Sequence, residues 1–158
     1  MHYKAGLYHR DMKPENVTLD KNGDQVVQKQ PARCKIIGFG TALRVPHVLD
    51  ANGERVAARM IHRGGGTPGY KSPQARPGQV YDGSKNNVWS LGIIVVNMLM
   101  VPTLLQLRSC SPDTFNNHLI HFFSWIYKPG LSGDEAKKLI CRLLTMDETT
   151  RPNIKETL

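Results

Sequence analysis

Residues 87–100 constrain this chain more than any other stretch. Val88, Trp89, Leu91, Ile93, Ile94, Val95, Val96, Met98 and Leu99 leave almost no polar stripe. A helix that is apolar nearly all round is stable only where other segments enclose it. Pro102 stops it. The wider run 91–105 is broken by Asn97 and Pro102 and falls short of the ~20 residues of a membrane span, so this helix belongs inside a core. A chain of 158 residues can build that core as one domain. Its 40% hydrophobic and 22% charged residues are ordinary globular usage, unlike a disordered or low-complexity chain.

Two β-prone runs, 17–20 and 34–37, flank the turn Lys21-Asn22-Gly23-Asp24 and a loop through Gln28-Lys29-Gln30-Pro31, which predicts a β-hairpin. Residues 38–73 are dense in glycine and proline without a period, so that stretch reads mostly as loop. Residues 114–127 carry Phe115, Leu119, Ile120, Phe122, Phe123 and Trp125 at helical spacing, and Ser132-Gly133-Asp134-Glu135 reads as a capping box. The helix behind that box should use Ala136, Leu139, Ile140, Leu143 and Leu144 as one face. A last helix begins at Pro152.

The charge is +8, but the lysines and arginines are scattered and only Lys137-Lys138 are adjacent. No basic motif interleaved with aromatics is present, so neither nucleic acid nor membrane is expected as a partner. Cys34, Cys110 and Cys141 fit no disulfide framework and no CxxC pattern. With no leader-like start at residues 1–6, they read as reduced thiols of a cytoplasmic protein. His118 and His121 lie three apart but read as ordinary surface or core histidines.

Tyr8-His9-Arg10-Asp11-Met12-Lys13-Pro14-Glu15-Asn16 resembles the catalytic loop of protein kinases. Four further blocks follow in the order the family has them. Ile37-Gly38-Phe39-Gly40 stands where the family has Asp-Phe-Gly, and Gly66-Thr67-Pro68-Gly69-Tyr70 with Ser72-Pro73-Gln74 resembles the substrate-side loop and its Ala-Pro-Glu. The run from Tyr81 to Gly92 is similar to the start of the buried central helix, and Arg151-Pro152 to the closing motif. Lys13, two residues after Asp11, resembles the serine/threonine branch, and the wording around Thr67 and Tyr81 resembles its calmodulin-dependent group.

The resemblance implies a mainly α (α+β) fold, a kinase-like large (C-terminal) lobe with a small β-hairpin and no small lobe. It covers residues 1–158 as a partial kinase domain: catalytic loop 8–16, activation segment 38–74, buried central helix 87–100 and C-terminal helices 114–158. It also implies roles. Asp11 accepts the substrate hydroxyl proton, Lys13 steadies the phosphoryl group and Thr67 orients both. Asn16 ligates the second magnesium, and ATP with magnesium is the implied cofactor. His9, Arg10, Gln74, Asn87 and Arg151 are structural positions. Phosphoryl transfer is mostly positioning and charge neutralisation, so these residue types suit that chemistry.

The chain departs from this pattern at its acids. Gly38 replaces the aspartate that holds magnesium, and glycine has no side-chain oxygen to offer. Gln74 replaces the glutamate that pairs with the arginine matching Arg151, and Asn87 replaces an aspartate that accepts catalytic-loop amides. Those three losses account for three of the eight net positive charges. Residues 42–66 hold no Ser, Thr or Tyr for Arg10 to clamp once phosphorylated. Asp50 or Glu54 could imitate a phosphate toward Arg10, Arg44, Arg55, Arg59 or Arg63, but a solvated basic loop is the preferred reading.

The chain also starts only a few residues before the catalytic loop, so the glycine-rich loop and strand lysine are expected to be missing. These observations predict a serine/threonine kinase-like fragment that is catalytically inactive and binds a protein, with docking to a separate small lobe as one form of that. The alternative is an incomplete reading of an ATP-dependent kinase that phosphorylates protein hydroxyls. A third expectation is a chain that does not fold stably, because the face the small lobe would cover is apolar.

Overall fold

The computed structural model describes residues 5–19, 33–99 and 134–157, with helical backbone also at positions 117, 121 and 124. In chain order the strands are β1 (Leu7–Tyr8), β2 (Val17–Leu19), β3 (Cys34–Ile36), β4 (Leu43–Arg44), β5 (His47–Leu49), β6 (Arg55–Ala57), β7 (Met60–Ile61) and β8 (Val80–Tyr81). The helices are α1 (Gly83–Leu99), α2 (Asp134–Leu143) and α3 (Ile154–Thr157). Single 3₁₀ turns occupy Pro14–Asn16 and Phe39–Thr41.

Helix α1 is the axis of the fold. Val88 is buried on it, and Trp89, Ile93, Ile94 and Val96 are joined by Met12, Tyr70, Ile140 and Leu144 in one core. Each such side chain contributes roughly 1.5–3 kcal/mol by leaving water, which is why the apolar run forms a helix here. The helix starts at Gly83, four positions before its apolar pattern begins at residue 87. Asp82 caps it, its Oδ1 accepting the N–H groups of Ser84 at 2.7 Å and Lys85 at 3.2 Å. Helix α2 packs across α1 at Gly92, where a Cβ would lie 2.7 Å from a methyl of Leu144 and 2.9 Å from Cβ of Leu143. Only glycine permits that approach.

On α2, Ile140, Leu143 and Leu144 face the core as expected, but Ala136 and Leu139 stay at the surface. Lys137 is buried in their place, as a long aliphatic stem allows. Helix α3 begins at Ile154 rather than Pro152 because Asn153 is its cap. Asn153 Oδ1 accepts the N–H of Lys155 at 2.9 Å and of Glu156 at 3.1 Å, while Glu156 Oε2 accepts the N–H of Asn153 at 2.7 Å.

The expected hairpin is the β2–β3 ladder, with Val17 opposite Ile36 and Leu19 opposite Cys34. Its connection, Ser132 and Gly133 of the box, Cys110 and His118 lie outside the described residues, as does the helix expected over 114–127 except at positions 117, 121 and 124. Residues 38–73 differ from the loop expectation. They supply β4, paired with β1; the β5–β6 hairpin; and β7, paired with β8. All four ladders are antiparallel and two-stranded, so the described residues carry more strand than one hairpin. The partners of β4 and β7 lie far off in sequence, which is why no local alternation announces them. Among the described residues, no helix is long and apolar enough to cross a membrane.

Candidate active site

The segment following β1 turns sharply at Arg10, the one described residue other than glycine with positive φ, at 70°. The turn is held from three sides. The Arg10 N–H donates to Asn87 Oδ1 of α1 at 3.1 Å. The fully buried His9 ring bonds the Ile37 carbonyl through Nε2 at 2.8 Å and accepts the Asp11 N–H at Nδ1 at 3.3 Å. The Phe39 ring meets His9 edge-on, 5.0 Å between centroids. Thr41 Oγ1 donates to the His9 carbonyl at 3.1 Å.

This frame presents Asp11, Lys13, Asn16 and Thr67 together. Asp11 Oδ1 accepts both the N–H and the hydroxyl of Thr67, each at 2.7 Å. Lys13 Nζ lies 3.3 Å from Asp11 Oδ2 and donates to Thr67 Oγ1 at 2.9 Å. The Thr67 hydroxyl thus donates to the carboxylate and accepts from the ammonium. Burial pushes the Asp11 carboxyl up, but the hydrogen bonds from Thr67 and Lys13 and the charge of Lys13 outweigh it, leaving the pKa below the usual aspartate value. Asp11 is therefore a carboxylate near neutral pH, with Oδ2 on its less crowded side.

Asn16 sits at the end of the 3₁₀ turn that Pro14 opens, its N–H bonded to the Lys13 carbonyl at 3.0 Å. Its amide nitrogen donates to the Asp11 carbonyl at 2.7 Å and approaches Asp11 Oδ2 at 3.4 Å. Gly38 stands opposite in the left-handed region, at φ 76°. A Cβ on Gly38 would lie 2.2 Å from Asn16 Oδ1 and 2.6 Å from its Cγ. The Asn16 carboxamide fills the space that a side chain at 38 would use.

The remaining expected positions form two supports. Asn87 lies beneath the Arg10 turn. Arg151, fully buried, bonds Gln74 Oε1 at 2.9 Å and the carbonyls of Thr145, Lys85 and Met146, and stacks 4.9 Å over the Trp89 ring. Burial lowers the Arg151 pKa to about 10, against the attraction of Glu148, Asp82 and Asp147. The Arg10 guanidinium holds neutral acceptors: Tyr81 Oη at 3.2 Å, the Thr41 carbonyl at 3.3 Å and the Gly64 carbonyl at 2.5 Å. Asp50 instead closes the β5–β6 turn, its Oδ1 accepting the N–H groups of Asn52 and Glu54 at 2.9 Å.

Sequence reasoning missed Tyr81, Thr41, Lys71 and His62 as neighbours of this centre. Burial and the Arg10 charge lower the Lys71 pKa, with Asp11 pulling the other way. Burial, Lys71 and Arg10 lower that of His62. Their separation along the chain from residues 9–16 left no local signal for these contacts.

The residues present do not fit the divalent cation that the kinase resemblance implies. Position 38 offers no side-chain oxygen, the Asn16 carboxamide is turned against it, and Asp11 Oδ1 is saturated by Thr67. Magnesium at a phosphate site is held by one or two carboxylates together with the phosphates, and at position 38 the carboxylate is missing.

Comparison with known proteins adds a second line. The family model of the protein kinase domain matches residues 1–158. The chain is 30% identical over 157 residues to CBL-interacting serine/threonine-protein kinase 5 of Arabidopsis thaliana, covering 96% of this chain and 30% of that protein. It is 31% identical over 164 residues to CBL-interacting serine/threonine-protein kinase 20 of the same plant, covering 99% and 31%. To CBL-interacting protein kinase 16 of Oryza sativa subsp. japonica it is 32% identical over 155 residues, covering 97% and 29%. The chain thus spans about 30% of the length of these relatives. With five motif blocks in order, a match along its whole length and relatives of one type, this chain belongs to the protein kinase domain family, serine/threonine type.

Proposed function

We propose that this chain is the large-lobe part of a serine/threonine-kinase-type domain that keeps the substrate side of its site, lacks the cation side, and acts by binding other proteins. The observation that carries this reading is the packing of the Asn16 carboxamide against Gly38, 2.2 Å from where a Cβ would lie. Transferring a phosphoryl group requires its charge to be neutralised as it moves. Lys13 supplies one cation, and glycine at position 38 gives no carboxylate to hold another opposite it. What remains, Thr67 clamped to Asp11 and Lys13, is a rigid polar floor for an extended peptide. The exposed Leu19, Ile36, Ile37 and Phe39 support a second protein segment, such as a separate small lobe, covering the face beside β2 and β3.

The test is the purified chain with Mg-ATP. It is expected to show no rise in Tm with increasing nucleotide and no label transfer from γ-labelled ATP to a generic protein substrate. A Tm that climbs with ligand, as linkage requires for a true site, or label transfer abolished by Asp11→Asn, overturns it. The intact Asp11, Lys13 and Thr67 contacts favour a second reading, an ATP-dependent kinase acting on protein hydroxyls within a longer chain. Label transfer by a longer form, lost with Asp11→Asn, would establish that one.

A further inference from the structure

We propose that Lys71, with Arg10 beside it, selects what docks on this site: an extended segment of a partner protein that places an acidic side chain, carboxylate or phosphate monoester, next to Thr67. The inference rests on the reading of Asp11, Lys13 and Thr67 as a peptide floor and adds the charge of the peptide.

The two cations meet at one turn. Lys71 Cε lies 3.1 Å from where a Cβ on Gly66 would be, and Arg10 Nη2 lies 3.6 Å from the corresponding point on Gly65. Gly66 directly precedes Thr67, so the pair borders the floor. Lys71 is part-buried, and among the described residues its ammonium has neither a hydrogen bond nor an ion pair. Arg10 has five N–H donors, and its acceptors, Tyr81 Oη and the carbonyls of Thr41 and Gly64, are all neutral. The acid whose charge reaches Lys71 is Asp11, and Thr67, Lys13 and Asn16 already occupy its two oxygens.

The turn itself supplies no counter-charge. Gly65 and Gly66 have no side chains, and at Gly66 a Cβ would lie 2.5 Å from the Arg10 carbonyl. The anion has to come from outside this turn. Burial and Arg10 lower the Lys71 pKa, and burial, Lys71 and Arg10 lower that of the buried His62, so both groups register the same unbalanced positive charge. Burying a cation without a partner is costly, and a charge-assisted hydrogen bond from an anion removes that cost. A basic segment would be repelled and a neutral one would leave the ammonium unpaired, which is how one site prefers acidic partners. Two cations at one turn suit a single side chain, whereas a nucleic-acid backbone is held by many phosphate contacts.

The probes are three labelled peptides of one alanine, serine and glycine frame that differ at a single central residue: glutamate, phosphoserine or glutamine. By fluorescence anisotropy at low salt, the glutamate or the phosphoserine peptide should bind about tenfold more tightly than the glutamine peptide, and the tighter of the two identifies the source of the anion. Lys71→Gln should erase this preference and Lys71→Arg should keep it. Lys138→Gln, which removes the same charge from an exposed lysine of α2, should leave it unchanged. In ¹⁵N NMR spectra of the unaltered chain, the Gly65 and Gly66 amide resonances should move with the acidic peptide and stay in place with the glutamine peptide. Equal affinity for all three peptides overturns the proposal and leaves the peptide floor standing, whereas binding of none overturns both. A labelled oligothymidine that displaces both acidic peptides, and does so only while Lys71 is present, overturns the choice of a peptide. Should Lys71→Gln fail to fold, the glycine resonances still decide.

Discussion

Gly38 and the Asn16 carboxamide compete for one small volume. Gly38→Ala places a side chain in the left-handed region, about 1–2 kcal/mol, and displaces Asn16 from its bond to the Asp11 carbonyl, about 1 kcal/mol more. Urea denaturation should show a loss of about 2–3 kcal/mol. In an Asn16→Ala background the same change should cost only its backbone part, so the double-mutant cycle should show coupling. Gly38→Asp meets the same obstruction and is expected to restore no phosphate transfer in this chain. At Arg151, Gln74→Glu exchanges the 2.7 Å bond from Gln74 Nε2 to the Met146 carbonyl for a charged acceptor on a fully buried guanidinium. A bond to a charged group outweighs a neutral one, so a gain of about 1 kcal/mol is expected on thermal melting. The positions of Asp11, Lys13, Asn16 and Thr67 were legible because motif order identifies them. The Gly38–Asn16 conflict was not, since it depends on a φ angle and a rotamer that sequence does not carry.

Among the elements, β7 and β8 are tied to the C-terminal segment by one ion pair. Arg59 Nη2 lies 2.5 Å from the buried Glu148 Oε2 and donates to the Val80 carbonyl at 3.1 Å, while Glu148 Oε1 accepts the Asp82 N–H at 3.0 Å. Removing Arg59 leaves a buried carboxylate with one fewer partner. Because Arg59 itself is half-exposed, Arg59→Ala should cost about 1–2 kcal/mol rather than the full value of a buried pair. Hydrogen exchange should quicken at residues 60–61 and 80–81 before it does in α1. Helix α1 was readable because nine apolar residues in one run force enclosure. Its first turn was not, because Gly83, Ser84, Lys85 and Asn86 are polar or small and only the cap at Asp82 defines them. Strands β4 and β7 were hidden for a different reason, since a two-residue strand has no period and exists only where a distant partner supplies its hydrogen bonds.

For the whole molecule, the buried His62 makes stability depend on pH. Its Nδ1 accepts the Gly64 N–H at 3.3 Å, so the native ring is neutral, and burial with Lys71 and Arg10 holds its pKa below the ordinary value. Between that lowered value and the unfolded value near 6.5, the unfolded chain binds more protons than the native one, so stability rises with pH across the window. Acidifying from pH 7.5 should lower Tm once pH falls through about 6.5, and His62→Gln should flatten that part of the curve. Arg10 has a consequence of a different kind. Its single guanidinium grips the carbonyls at 41 and 64, a clasp at the neck of a loop whose flanks β1 and β8 hold separately through β4 and β7. Unfastening it with Arg10→Ala should loosen the neck alone, and trypsin should then cut first at Arg63, beside the released carbonyl, and later at Arg44 and Arg59, which β1 and Glu148 still hold.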